Sequence, residues 1–132
     1  RLLVVCQEPE EKIVGACGIR GPLNVLFLYV KESYRNRGLG TQLLGKALQA
    51  AKERHLSFVT LTVSADSHVA LNLYRRFGFQ EVLFLAKSRQ ILMMHPLTRM
   101  GKLAYAFFSA LRFLRPHNFL FYAHGLLYRR TL

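Results

Sequence analysis

The sequence predicts one α/β domain in which crossover helices connect the strands of a mixed or mostly parallel sheet. Strand-like and helix-like segments alternate over residues 24–86, a pattern typical of such sheets. The chain has 132 residues, a length that accommodates one domain. Its hydrophobic residues make up 52% of the total, which is enough to form a core and excludes a disordered polyelectrolyte.

Runs of branched, apolar and aromatic residues, separated by turn residues, predict six strands. The predicted strands are residues 2–6, 12–19, 24–30, 58–63, 80–86 and 90–95. The third of these, Asn-Val-Leu-Phe-Leu-Tyr-Val, is continuously apolar, which predicts a central strand buried on both faces.

In two segments the apolar residues recur at helical spacing. Residues 41–54 carry one apolar stripe and polar positions elsewhere, which predicts an amphipathic helix; the stripe is Leu43, Leu44, Ala47, Leu48 and Ala51. A shorter helix follows Asp66 and Ser67, which predict its N-terminal cap, and Gly78 ends it. The apolar stripe of this second helix is Ala70, Leu73, Tyr74 and Phe77.

Charge and aromatic residues are unevenly distributed along the chain. The net charge is +12, and all seven Asp and Glu residues precede residue 82. Residues 98–132 contain six Lys and Arg, no acidic residue and eight aromatics, which predicts a separate unit after a domain at residues 1–97. Apolar residues from Met100 to Leu114 recur at helical spacing and predict an amphipathic helix, and residues 119–128 predict a second short one.

Two cysteines are too few for a disulfide-stapled secreted scaffold, and no Cys or His pairs have zinc-site spacing. We therefore expect a reducing, cytoplasmic compartment and no metal. The longest uncharged apolar run, residues 116–128, is shorter than the roughly 18 residues of a spanning helix. The first residues contain neither an initiator Met nor a cleavable signal, so we expect a fragment or a processed product.

Residues 34–41, Tyr-Arg-Asn-Arg-Gly-Leu-Gly-Thr, lie between the third strand and the first helix. Two glycines at a helix N-terminus let the backbone approach a ligand, and the unpaired N–H groups together with the helix dipole favour phosphate. Arg35 and Arg37 add donors that suit phosphate oxygens. The structural alternatives are an ordinary tight turn for Gly38 and Gly40 and a solvated basic loop for the arginines.

Two common phosphate motifs do not fit these residues. The dinucleotide pattern G-x-G-x-x-G fails because Leu43 is the third residue after Gly40. The P-loop pattern fails because Ala47 stands at its final position and because the segment belongs to a helical stripe.

The remaining pattern, R-x-x-G-x-G at residues 35–40, resembles the GNAT superfamily of acyl-CoA N-acyltransferases. Residues 28–40 are similar to that family's strand-4 and pyrophosphate-loop segment. Residues 67–79, Ser-His-Val-Ala-Leu-Asn-Leu-Tyr-Arg-Arg-Phe-Gly-Phe, are similar to its later helix, with a Leu-Tyr pair and a closing Gly-Phe. The two motifs occur in the family's order, and the resemblance covers residues 2–95.

The resemblance implies a mixed, mostly antiparallel sheet with a splayed central parallel pair and crossover helices. The family's N-terminal strand and helices, which form one wall of the acceptor cleft, are expected to be missing, and C-terminal helices to be added. The implied activity is transfer of an acyl group from acetyl-CoA, or a related acyl-CoA, to a primary amine of an unknown acceptor, without a metal. The implied acyl-CoA-binding residues are Leu28, Val30, Arg35, Asn36, Arg37, Gly38, Leu39, Gly40 and Thr41.

Tyr74 corresponds to the family's usual general acid, which protonates the departing thiolate. A phenol with a pKa near ~10 can supply that proton without ionising first, although packing in the core is the alternative role. The resemblance also implies that the Val30 N–H meets the thioester carbonyl. The general base stays open because the strand at residues 24–30 has no carboxylate. Glu32 lies in a loop where a solvated charge is the favoured interpretation, and His55, His68 and Glu81 have no supporting spacing. A water-mediated base, or an acceptor that is already neutral, is an equal alternative.

Three roles are open for residues 98–132. Their helices can pack on the domain or on a second copy as a homodimer, or dock at an anionic membrane surface. Nucleic-acid binding is the least favoured role because no recognition module is present. The alternative to an enzyme is a non-catalytic module that keeps the CoA fold and binds a partner protein or a membrane through these helices.

Overall fold

A computed structural model of the protein describes residues 2–7 and 12–111. These residues form six strands, three α-helices and one 3₁₀ helix. The strands are β1 Leu2–Gln7, β2 Ile13–Arg20, β3 Val25–Val30, β4 Phe58–Ser64, β5 Gln80–Leu85 and β6 Gln90–Pro96. The helices are α1 Leu39–Glu53, α2 His68–Arg76 and α3 Arg99–Leu111, and the 3₁₀ helix is Glu32–Tyr34. Each predicted strand coincides with an observed strand to within a residue at either end.

The six strands form one sheet in the order β1-β2-β3-β4-β6-β5. The pairing of β3 with β4 is parallel, and the other four pairings are antiparallel. Helix α1 makes the crossover between the two parallel strands, because such strands cannot be joined by a tight turn. The predicted mixed, mostly antiparallel sheet with a central parallel pair is therefore confirmed.

The parallel pair of strands is joined at one end and open at the other. Its register contains one pair of Cα partners, Val25 and Thr60. The Thr60 amide donates to the Asn24 carbonyl at 3.1 Å, and Asn24 Nδ2 donates to the Phe58 carbonyl at 2.9 Å. Thr60 Oγ1 donates to the Leu23 carbonyl at 2.8 Å. Beyond this clamp the two strands have no further Cα partners, so an unpaired gap separates their C-terminal parts.

Helices α1 and α2 cover one face of the sheet and enclose the main core. All five residues of the predicted α1 stripe are buried there. From β3, Leu26 is buried in this core, and Leu28 and Val30 pack against it. The core residues are Cys17, Ile19, Leu26, Leu43, Leu44, Ala47, Leu48, Ala51, Val59, Leu61, Val63, Leu71, Tyr74, Phe79 and Met93.

The other face of β3 is exposed, so the prediction of a strand buried on both faces is wrong. Val25, Phe27 and Tyr29 alternate with the core residues of β3, and Tyr29 is 55% exposed. On this second face α3 lies over β5 and β6 and leaves β3 bare. A continuous apolar run indicates that a strand is central in the sheet. Both of its faces are buried only where a helix covers each face of the sheet.

The two ends of α2 follow the prediction in part. Ser67 is the N-cap residue, but its side chain makes no capping hydrogen bond, and Asp66 instead accepts a hydrogen bond from Arg89 at 3.1 Å. The predicted side-chain cap is therefore wrong. The C-terminal end is confirmed: the Gly78 amide donates to the carbonyl of Arg75 at 3.0 Å, as a glycine C-cap requires.

The first C-terminal helix is observed as α3. The continuation predicted up to Leu114 and the second helix predicted at residues 119–128 lie outside the described residues. Within residues 2–7 and 12–111, no helix has both the length and the apolar content needed to cross a membrane.

Candidate active site

The N-terminus of α1 has no capping side chain. Its N-cap residue is Gly38, whose φ of 78° lies in the left-handed region that strains residues with a side chain. The amide of Gln42 donates to the Gly38 carbonyl at 3.1 Å, which leaves the amides of Leu39, Gly40 and Thr41 outside the helical ladder. No acidic residue occupies the first turn. This end of α1 therefore presents backbone donors and the positive end of the helix dipole to an anion.

The loop before α1 uses its two arginines differently. Arg35 Nε donates to the carbonyl of Val30 at 3.1 Å, which ties the loop to the end of β3. The Arg37 guanidinium lies 5.2 Å from the centroid of the Tyr34 ring, within the range of a cation–π contact. Asn36, between them, turns the chain with a φ of 61°. All three loop side chains from Arg35 to Arg37 are exposed. Sequence reasoning treated the arginines as equivalent donors and missed both contacts, although the aromatic ring of Tyr34 was a visible signal.

The edge of β3 that faces the gap carries backbone donors. The Lys31 amide, just beyond the strand, donates to Val14 at 2.8 Å on the β2 side. Because amide directions alternate along a strand, the amides of Leu28 and Val30 point to the opposite edge, from which β4 has separated. A ligand lying in the gap therefore meets these two N–H groups.

Gly40 brings the loop, β3 and α2 together. A Cβ at Gly40 would lie 3.7 Å from Leu73 Cδ2 and 3.9 Å from both Leu28 Cδ2 and Val30 Cγ2. The N-terminus of α1 therefore adjoins the gap, and α2 contacts the same point. The two sequence motifs that are far apart in the chain are neighbours in the fold.

Tyr74 follows Leu73 on α2 and is only 9% exposed, so it also has the packing role that the sequence left open. Its ring contacts Phe79 edge to face, with centroids 5.7 Å apart. Burial raises the pKa of Tyr74 above its usual value of 10.0, and the charge of a Cys17 thiolate raises it further. Tyr74 therefore lies in the core near Cys17 of β2, which is the register partner of Leu28 on β3. Its phenol stays protonated at neutral pH.

The four side chains considered as general bases are dispersed. Glu32 is exposed in the 3₁₀ helix, and His55 is exposed beyond the C-terminal end of α1. Glu81 forms an ion pair with Arg75. His68, also exposed, begins α2 shortly after the C-terminal end of β4, the strand whose C-terminal part is not paired with β3. The fold therefore separates His68 from the other three candidates.

A comparison with family models identifies the domain. The model of the Acetyltransferase (GNAT) family matches residues 1–79, which is more than half of the chain. The chain belongs to the GNAT acetyltransferase family. The resemblance of the two sequence motifs to GNAT proteins is thereby confirmed, and so is the predicted fold class.

Solved structures and curated relatives agree with this assignment. An acetyltransferase from Bacillus cereus is 27% identical with a TM-score of 0.62, over 73% of this chain and 72% of that one. A GNAT acetyltransferase from Elizabethkingia anophelis, solved with acetyl-CoA bound, has a TM-score of 0.61 at 20% identity, over 72% of this chain and 75% of that one. The N-alpha-acetyltransferase of Sulfurisphaera tokodaii is 40% identical over 63 residues, which are 47% of this chain and 38% of that protein.

This GNAT domain spans 24% to 50% of the length of the first three curated relatives that it matches. GNAT proteins use acyl-CoA, which combines a pyrophosphate with an amide-containing arm. The residues present fit such a group on two observations: the uncapped N-terminus of α1 offers donors for the pyrophosphate, and the gap-facing edge of β3 offers N–H groups to an extended amide chain.

Proposed function

We propose that this GNAT domain is an N-acyltransferase that transfers an acetyl group, or another acyl group, from acyl-CoA to a primary amine. The observation that carries the proposal is the contact of three elements at Gly40. There the uncapped N-terminus of α1, the core-facing side chains of β3 and the helix that bears Tyr74 meet within van der Waals distance.

The loop and the first turn of α1 bind the pyrophosphate in this proposal. Backbone amides at the helix start donate to phosphate oxygens, and the dipole stabilises their charge. Arg37, stacked on Tyr34 and exposed, adds a charge-assisted donor. Arg35 holds the loop against β3 through its Nε, and its side chain is exposed. The full proposed set is Arg35, Asn36, Arg37, Gly38, Leu39, Gly40 and Thr41.

The gap positions the reacting end of the donor. The amides of Leu28 and Val30 point into it and bind carbonyl groups laid along β3, and the Val30 N–H stabilises charge that develops on the thioester oxygen. The hydrogen-bond clamp at Asn24 and Thr60 holds the narrow end of the gap at a constant width. These donors are pre-organised because they belong to the backbone of a core strand.

Tyr74 holds the proton that the departing sulfur needs. Bound acyl-CoA supplies the acyl group as a thioester, whose sulfur would otherwise leave as a thiolate. The raised pKa of Tyr74 keeps this proton on the phenol oxygen through the neutral range. General acid assistance of this kind contributes about 10²- to 10⁴-fold to a rate.

The acceptor is a primary amine that must lose a proton before it attacks, since an amine of pKa near ~10 is mostly protonated at neutral pH. Water, or His68 at the start of α2, receives that proton. Phe27 and Tyr29 on the exposed face of β3 favour an acceptor with little charge over a polycation. The similarity to the N-alpha-acetyltransferase of Sulfurisphaera tokodaii supports α-amines as the first acceptor class to test.

The donor site is tested by calorimetric titration with acetyl-CoA and CoA. Thr41→Glu puts a carboxylate in the first turn of α1, where it favours the helix but repels phosphate. Gln80→Glu is the matched control, because it makes the same charge change at an exposed position on the far strand β5. We expect micromolar binding by the parent chain and by Gln80→Glu and a loss of at least tenfold in Thr41→Glu. Equal affinity in all three proteins would refute the proposed pyrophosphate site.

Turnover separates the enzyme from the alternative of a CoA-fold binding module. Release of CoA is followed with a panel of peptides that have free N-termini and a panel of small amines. Turnover with either panel supports acyl transfer. Donor binding without turnover in both panels supports the binding module, which the lack of a carboxylate on β3 favours. A homodimer through the C-terminal helices stays a prediction that analytical ultracentrifugation tests.

A further inference from the structure

Helix α3 exposes a row of large apolar side chains. Met100, Leu103 and Phe107 are 66%, 65% and 62% exposed, and Phe108 and Leu111 are also exposed. The spacing of Met100, Leu103, Phe107 and Leu111 follows the helical period, so these four residues form one stripe along the whole length of α3. A solvent-facing helix ordinarily carries polar residues there, so this outer stripe points to a partner surface.

Another side of α3 packs against the residue that precedes β4. Gly101 is buried against the carbonyl of Ser57, and its amide donates to Thr98 Oγ1 at 3.1 Å. The carbonyl of Ser57 also accepts from the amide of Leu97 at 2.9 Å. These contacts fix the rotation of α3 about its axis. The outer stripe therefore cannot turn inward to be covered by the sheet.

The sequence segment that contains the outer stripe carries only positive charge. Arg99 lies on α3 beside the outer stripe, whereas Lys102 lies on the other side of the helix. Residues 98–132 as a whole contain six Lys and Arg and no acidic residue. A second copy of the chain would bring the same cations to the same place with no carboxylate to pair with them. An anionic surface is the complementary partner for this arrangement.

We propose that α3 docks on an anionic lipid bilayer, with the outer stripe inserted at the interface and Arg99 at the headgroups. Phe and Leu on one side of a helix and Lys or Arg beside them are the features of interfacial helices. Cations at such a surface contribute through attraction to acidic lipids, which salt screens. This inference concerns the second face of the sheet and does not depend on acyl transfer.

The test is co-sedimentation of the full chain with vesicles of phosphatidylcholine alone and of phosphatidylcholine mixed with phosphatidylglycerol. We expect binding to the mixed vesicles that weakens as salt is added. The double variant Leu103→Ser/Phe107→Ser should weaken binding by more than about tenfold, because two apolar side chains no longer enter the interface. Arg99→Gln should weaken it by about fivefold, because Arg99 is the cation beside the outer stripe.

Val69→Ser is the matched control, because Val69 is 80% exposed on α2 and lies outside the outer stripe. It should bind vesicles as the parent chain does. Circular dichroism checks that each variant is folded, and acetyl-CoA titration checks the donor site separately. Absence of vesicle binding, equal binding to neutral and anionic vesicles, or self-association abolished by Leu103→Ser/Phe107→Ser would each overturn the proposal; the last result would assign the stripe to a second copy.

Discussion

Gly101 packs directly on the carbonyl of Ser57: a Cβ at position 101 would lie 1.9 Å from the Ser57 oxygen. Glycine is unfavourable for helix formation, so the close approach to Ser57 explains why position 101 in the first turn of α3 is a glycine. The contact holds α3 against the start of β4 and determines which side of the helix faces solvent.

We expect Gly101→Ala to destabilise the protein by about 1–3 kcal/mol, because the helix must move away from the sheet. Gly45→Ala is the control on α1, where an added Cβ would lie 3.7 Å from Phe77 and meet no clash. That variant should be more stable than the parent chain by about 0.5–1 kcal/mol. Urea unfolding measures both changes. Because the two variants are expected to change stability in opposite directions, the replacement of a glycine by itself cannot explain both results. A Gly101→Ala protein as stable as the parent chain would contradict the docked arrangement of α3.

The clamp at the narrow end of the gap depends on Asn24. Its φ of 49° is positive, and its side chain donates to the Phe58 carbonyl. Asn24→Ala should lose about 2 kcal/mol of unfolding free energy, about half from the hydrogen bond and half from the backbone conformation. Asn24→Gly keeps the conformation accessible and should lose about 1 kcal/mol. Denaturant unfolding of the two variants separates these contributions, and two equal losses would show that the side-chain bond alone matters.

Replacing Tyr74 tests the proposed acid. Tyr74→Phe keeps the ring that packs on Phe79 and removes only the hydroxyl. We expect the rate of CoA release to fall about 10²- to 10⁴-fold while affinity for acetyl-CoA and thermal stability stay near the parent values. Steady-state kinetics and calorimetry provide the measurements. A variant with normal turnover would limit Tyr74 to its packing role.

Stability at alkaline pH should report the burial of Cys17. Burial raises the pKa of its thiol from 9.0 to about 12. The unfolded chain loses this proton above pH 9 while the folded chain keeps it, so the unfolding free energy should fall between pH 9 and about 12, by up to about 1.4 kcal/mol per pH unit. In Cys17→Ala this part of the slope should vanish. Unfolding measured across that range in both proteins checks the prediction, and parallel slopes would contradict it.

Local patterns in the sequence were sufficient for the elements and for the motif residues. The strands, α1 and the Gly78 end of α2 follow from periodicity and from glycine at a helix end, because these features depend on neighbours in the chain. The loop before α1 was equally readable, since its glycines and arginines lie together in sequence. The order of the two motifs then identified the family, which the family model confirms.

Contacts between distant segments were not readable in this way. Nothing in the run of residues 24–30 indicates that α3 covers β5 and β6 and leaves Tyr29 exposed. The tethering of Arg35 to Val30 and the placement of Cys17 near Tyr74 also arise only when the strands are paired.

The amino-acid pattern alone thus specified the strands, the helices and the phosphate-type loop, because each depends on spacing within about ten to fifteen residues. Tertiary structure alone decided the gap between β3 and β4, the contacts at Gly40 and the outward direction of the apolar residues of α3. Those features depend on which backbone groups can approach one another. Gly101 shows the difference most directly. The sequence shows only that position 101 is a glycine, whereas the fold shows that the Ser57 carbonyl leaves no room for a side chain there.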